Sequence, residues 1–199
     1  GRRGSVFRCR RRREGTVRLP VMTTGAPLDP IAEARRQWLR RWPEHAEHMA
    51  AITSVMRVQQ ILLGEVERAL KPYGLTFASY EALVLLHFSR AGRLPLGKMG
   101  ERLMVHPTSI TNTIDRLQAA GLVRRVPDPA DRRRVLAEIS ERGRQVAVAA
   151  TEVLNGIDFG LGMLSEREAV ALSGLLRRIR QAAGDFGPEA ADPWASATG

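Results

Sequence analysis

At 199 residues with a formal charge of +10, the chain is long enough for one ordinary domain with a real core. No apolar run approaches the roughly 18 to 20 residues that span a bilayer, and the basic N-terminus leads into no signal-peptide-like stretch. A soluble, cytoplasmic protein without a membrane partner is therefore expected, and the lone Cys9, outside the expected folded body, argues against thiol sensing.

Residues 1–21 hold eight arginines against Glu14, a net of +7, which leaves +3 for everything after them. Met22 opens MTTGAPLDP, which reads as an ordinary translation start. Residues 1–28 are expected to be a disordered basic extension, foreign to the native chain before Met22; the rival reading is a native phosphate-binding arm. Asp29 to Arg41 suits a short leading helix. Pro43 then opens a long pattern in which Met49, Ile52, Val55, Gln59, Leu62, Val66 and Ala69 recur every three or four residues until Pro72 ends it. Such a stripe is too long for one small domain to cover. Residues 29–74 thus read as an N-terminal helical unit.

Leu75 to Ala91 reads as the next helix, capped by Thr76 and stopped by Gly92, and Leu96 to Val105 as another. Pro107 suits the first turn of a third, because its preset φ and missing N–H cost nothing there. Ile110, Ile114 and Leu117 give that helix one apolar face, and Gly121 stops it. Thr108, Ser109, Thr111, Asn112 and Arg116 fall largely off the stripe. They are short hydrogen-bonding groups plus a long cation, the mixture that reaches base edges and phosphates. A helix, a tight turn and a second helix are followed by two strands, LVRRV and VLAEIS, around a tip carrying Arg132, Arg133 and Arg134. An arginine-tipped ribbon can enter the minor groove, and Asp131 could hold Arg133 extended. From Arg90 to Arg144 twelve Lys/Arg face six acids, so most of the charge left after the N-terminal segment lies on this unit. The order describes a winged helix-turn-helix over residues 75–140.

Ser140 can cap a helix running to about Phe159, with Val146, Ala149, Val153 and Ile157 on one face. Ser165 and Glu168 form a capping-box pattern before Val170, Leu172, Leu175, Leu176 and Ile179, and Gly184 closes that helix. Residues 141–184 are read as C-terminal dimerisation helices and 185–199 as a disordered tail. The stripes at both ends lack a partner within one winged domain, so a homodimer is expected. No Walker loop, dinucleotide fingerprint, G-x-S-x-G or HExxH occurs, so neither enzyme activity nor a cofactor is expected. His45 and His48 beside Glu44 and Glu47 are read as solvated helix polarity rather than a metal site, His87 as a satisfied, partly buried histidine, and His106 as a helix cap or phosphate neighbour.

Asp131, Arg133, Ser140 and Gly143 carry a resemblance to the MarR family of transcription regulators, extending over roughly Trp38 to Phe186. Gly97 departs from it where a Ser or Thr often caps the helix before the turn. The resemblance implies a mainly α fold with a small β wing, terminal helices forming a dimerisation region, and a palindromic operator in double-stranded DNA. It also implies a small aromatic or anionic effector bound between residues 29–74 and the winged unit. Trp38, followed by Pro43 and YGLT, resembles the branch containing urate-responsive repressors, which implies a site at Trp38, Glu81 and Arg125. Glu81 stands where that branch has aspartate, and Thr113 where it has an arginine. The expected function is that of a ligand-released repressor. A winged-helix interaction module without sequence-specific DNA binding, or a metal-responsive regulator, are the competing readings.

Overall fold

A computed structural model describes residues 28–131 and 134–190. The expectations for residues 1–27, Arg132, Arg133 and residues 191–199 lie outside them. Asp29 accepts the Ile31 N–H at 2.9 Å and Pro30 fills the first turn, which starts α1 at Pro30–Arg41. Pro43–His45 forms a single 3-10 turn, and α2 runs from Ala46 to Leu70, roughly 37 Å of helix. The two helices form a hairpin held by an Arg35–Glu47 ion pair, while the rings of Trp38 and Trp42 lie 5.1 Å apart at the corner. A second 3-10 turn, Lys71–Tyr73, ends at left-handed Gly74.

Thr76 and Ser79 cap α3 (Phe77–Phe88) reciprocally. The helix stops three residues before the expected Ala91, because Ser89 is extended and Gly92, at φ +66°, turns the chain into a strand. That strand, β1 (Arg93–Pro95), is too short to show a period in the sequence and forms by pairing with a distant strand. Its residue Pro95 also precedes α4 (Leu96–Leu103), so Gly97 sits inside the first turn of α4 and not at its cap. Met104 follows in the left-handed region at φ 50°, a conformation that costs a non-glycine residue roughly 1–2 kcal/mol. His106 then caps α5 (Pro107–Ala119), its Nδ1 accepting the Thr108 N–H at 3.2 Å.

Strands β2 (Val123–Pro127) and β3 (Val135–Ile139) form the expected hairpin. With β1 they make an antiparallel sheet of order β1-β3-β2, with Arg93 and Arg124 both opposite Glu138. Ser140 caps α6 (Glu141–Gly156), and a turn at Asp158–Gly160 leads to α7 (Glu166–Ala182), which opens on the expected Ser165/Glu168 capping box. The fold is therefore mainly helical with a small three-stranded sheet. Its core lies where α3, α5 and α6 meet the sheet, and Leu83, Leu86, Met99, Ile114, Leu117 and Leu154 are fully buried there.

Four local expectations need correction. The buried face of α6 is Gly143, Ala147, Ala150 and Leu154, whereas Val153 of the expected face is 37% exposed. Small residues line the contact because α6 lies close against the body of the domain, where the Tyr80 hydroxyl of α3 also meets Thr151 at 3.0 Å. The same helix stops at Gly156, since Asp158 and Phe159 both take positive φ. His87 is partly buried as expected, but its buried Nδ1 has no hydrogen-bond partner among the described residues, and its ring meets the 76%-exposed Phe88 edge-on. Residues 185–190, expected to begin a disordered tail, turn back along α7. Phe186 lies 4.3 Å under the Arg177 guanidinium, which donates to the Ala190 carbonyl at 2.7 Å, and Asp185 pairs with Arg180 at 2.6 Å.

A Cβ at Gly143 would stand 2.1 Å from the Leu122 carbonyl oxygen, so this glycine serves close approach and not backbone freedom. Gly143→Ala is expected to cost about 3 kcal/mol, seen as a lower urea midpoint with an unchanged helical spectrum.

Candidate nucleic-acid interface

Helix α5 turns Ile110, Ile114 and Leu117 into the core, which leaves Thr108, Ser109, Thr111, Asn112 and Arg116 exposed on its outer side. The 3.6-residue period forces this division once the apolar stripe is buried. Thr111 donates its hydroxyl proton to the Pro107 carbonyl at 2.9 Å and keeps its oxygen lone pairs outward. Asn112 and Arg116 make no hydrogen bond or ion pair among the described residues, so both are available to a ligand.

The wing's tip is closed by backbone bonds. Asp128 N–H donates to the Arg134 carbonyl at 3.0 Å and Arg134 N–H to the Asp131 carbonyl at 2.9 Å. Asp128 also accepts the Ala130 N–H at 2.9 Å, an Asx turn that narrows the loop. Asp131 and Arg134 are exposed there, and the expected contacts of Arg132 and Arg133 lie outside the described residues. On the sheet, Arg124 pairs with Glu138 at 3.1 Å. Lys98 and Arg102 of α4, with Arg116 and Arg134, remain exposed without a carboxylate partner among the described residues. The surplus positive charge thus collects on the two helices and the wing.

The structure gives Arg125 a role the sequence reading missed. Its guanidinium pairs with Asp115 and reaches Gln118 Oε1 at 3.4 Å, which braces β2 against the C-terminal half of α5. Nothing in the local sequence marks this pair, because the partners stand ten residues apart across a turn. Trp38 rests on Trp42, and Glu81 is half-buried on α3 with no hydrogen-bonding or ionic partner among the described residues. No described contact joins Trp38, Glu81 and Arg125 to one another within one chain. A separate apolar cleft of about 700 Å³ lies between α2, the Asp158–Gly160 turn and α7, lined by Val58, Leu62, Phe77, Phe159, Leu164 and Leu176 among others.

Comparison with known proteins agrees with this geometry. Residues 73–134 match the model of the MarR family. The chain is similar to Sco5413 of Streptomyces coelicolor, a MarR family transcriptional regulator of known structure, at 58% identity and a TM-score of 0.66, over 70% of this chain and 97% of that one. It is 26% identical to the HTH-type transcriptional regulator PecS of Dickeya dadantii, over 76% of this chain and 93% of PecS. It is also 30% identical to the HTH-type transcriptional repressor Rv2887 of Mycobacterium tuberculosis, over 51% of this chain and 72% of that protein.

Burial holds the Glu81 carboxyl above its ordinary value, so the folded protein binds its proton more tightly than the unfolded chain does. Glu81 therefore favours the fold when protonated and loses that contribution as pH rises through its folded pKa. Glu81→Gln is expected to raise the melting temperature near pH 8 and to lose the advantage by about pH 4. A gap between the two proteins that is the same at both pH values would count against the assignment.

Proposed function

The chain belongs to the MarR family of helix-turn-helix transcriptional regulators, and on that premise we propose that it is a homodimeric repressor of a palindromic operator, released by a small-molecule effector. One observation carries the DNA reading: an exposed polar face on α5, flanked by Lys98 and Arg102 of α4 and Arg134 of the wing, which have no carboxylate partner among the described residues. Side chains such as Thr111 and Asn112 can read base edges in the major groove, while Lys98, Arg102 and Arg116 neutralise phosphates. Arg134, with Arg132 and Arg133, supplies the wing's approach to the minor groove, and Asp131 supports it.

Dimerisation is supported by what α2 and α7 leave bare. Ile52, Val55, Met56, Val58 and Ile61 are exposed on α2, as are Leu175 and Ile179 on α7. A monomer with this much apolar helix surface would leave a large hydrophobic cost unrecovered. A two-fold axis through these helices buries the surface and sets two α5 helices about 34 Å apart, one turn of DNA.

For the effector, the proposed site of Trp38, Glu81 and Arg125 is weighed by its charges. Arg125, its one cation, is already paired with Asp115, so a strongly anionic ligand finds little free positive charge. An aromatic ligand of low charge against Trp38 fits better. Ligand coupling requires only that the ligand prefer one spacing of the two α5 helices.

Light scattering at micromolar concentration is expected to give twice the chain mass, and Val58→Glu to reduce it to one. On an operator selected from random duplexes, Thr111→Ala and Asn112→Ala should each lower discrimination at one base pair by about 1–3 kcal/mol. Arg102→Ala should instead weaken every sequence alike and lower the salt slope by about one. Absence of any preferred duplex would favour a protein-interaction module.

A further inference from the structure

We propose that Met104, in the turn between α4 and α5, is a DNA-contacting residue that lays its side chain on an apolar surface of the duplex; this rests on the DNA reading above. The turn needs a left-handed residue at this position. Met104 N–H donates to the Glu101 carbonyl at 3.3 Å and Val105 N–H to the Gly100 carbonyl at 3.0 Å, a closure of α4 that sets residue 104 at φ 50° and ψ 40°. Glycine adopts this conformation without strain, and methionine does not. The side chain does not recover the strain by burial. Leu103 and Val105 on either side pack against the core, whereas Met104 is 73% exposed. Neither the backbone nor the core accounts for a methionine here, and strain held at a surface turn points to a use outside the folded chain.

Its surroundings say what that use is. Met104 shares one open cleft with Leu96 and Gly97 of α4 and with Pro107 and Thr111 of α5. It therefore shares that cleft with Thr111 of the reading face and with the N-terminal end of α5. Where a Cβ at Gly97 would stand nothing lies within 4 Å, which leaves the cleft wide on the α4 side. A long, unbranched thioether can adapt to an irregular apolar surface that rigid side chains would miss. Duplex DNA offers such surface as thymine 5-methyl groups in the major groove and as deoxyribose C–H along its wall. Glu101 and Thr111 are the polar side chains lining the cleft; Thr111 is suited to a base edge, and Met104 supplies the apolar contact beside it.

Met104→Gly separates this role from stability, because glycine keeps the turn and removes the strain. The probe is the duplex enriched by the wild-type protein from a random-sequence pool. The variant should melt at or above the wild-type temperature yet bind the duplex roughly tenfold more weakly. Met104→Leu, which keeps apolar reach, should restore most of the affinity. Replacing each thymine in turn by deoxyuridine then identifies the surface: a loss at one position per half-site in the wild type, absent in Met104→Gly, assigns the methyl group, and no such loss assigns the sugar. Wild-type affinity in Met104→Gly, while Asn112→Ala weakens binding to the same duplex, would overturn the proposal and leave the DNA reading standing. Equal losses in Met104→Gly and Met104→Leu would overturn it too. A wild-type chain that enriches no duplex would overturn both.

Discussion

The carbonyl of Leu122 is the point on which the rest of the structure depends. It accepts the Ser140 N–H at 3.0 Å, lies within 3.0 Å of the Ser140 hydroxyl, and sits so close to Gly143 that no side chain fits between them. The Ser140 oxygen meanwhile accepts the Gly143 N–H at 2.9 Å and so starts α6. In this small volume the end of α5, the base of the wing and the first turn of α6 are fastened together. A buried carbonyl must find donors, and here the donors come from the residues that begin the next element.

Two rigid connections follow from that junction. On one side the Arg125–Asp115 pair braces β2 against α5, so the wing and the reading helix keep a fixed relative aim. On the other, α6 runs from the wing's base across α3 to the Asp158–Gly160 turn, where a Cβ at Gly160 would meet Leu62 of α2 at 3.1 Å. The winged unit is thereby joined through α6, as it is through the passage from α2 into α3, to the exposed apolar surfaces of α2 and α7. In the dimer proposed above, a shift of α2 and α7 would reach α5 through α6 and the Leu122–Ser140 junction, since packed interiors shift between discrete arrangements and do not deform smoothly.

Apolar surface is distributed unevenly along the chain, and this divides the molecule into a self-sufficient part and a dependent part. The residues of α3, α5, the sheet and α6 bury one another, while most of α2 and the apolar side of α7 find little cover in one chain. Polar groups are arranged to match. Asn112 and Arg116 on the outer side of α5 make no hydrogen bond or ion pair among the described residues, whereas α1 and the start of α2 use Arg35 and Glu47 on each other.

By itself the sequence determined what short-range chemistry controls. Pro107, Gly121, Ser140 and the Ser165/Glu168 pair place helix ends because caps and left-handed glycines act within a few residues. Ile110, Ile114 and Leu117 define an inner face, so the outer face of α5 was legible with them. Only the tertiary structure decided where α6 presses, because Gly143, Ala147 and Ala150 are buried through smallness, which no hydrophobic period reports. It also decided β1, three residues long and ended by a proline, which forms by pairing with β3 more than forty residues later. The partner of Arg125, the burial of the His87 Nδ1 and the strain at Met104 belong to the same class. Each depends on which surfaces meet or stay open once the chain has closed, and that is a property of the packed whole.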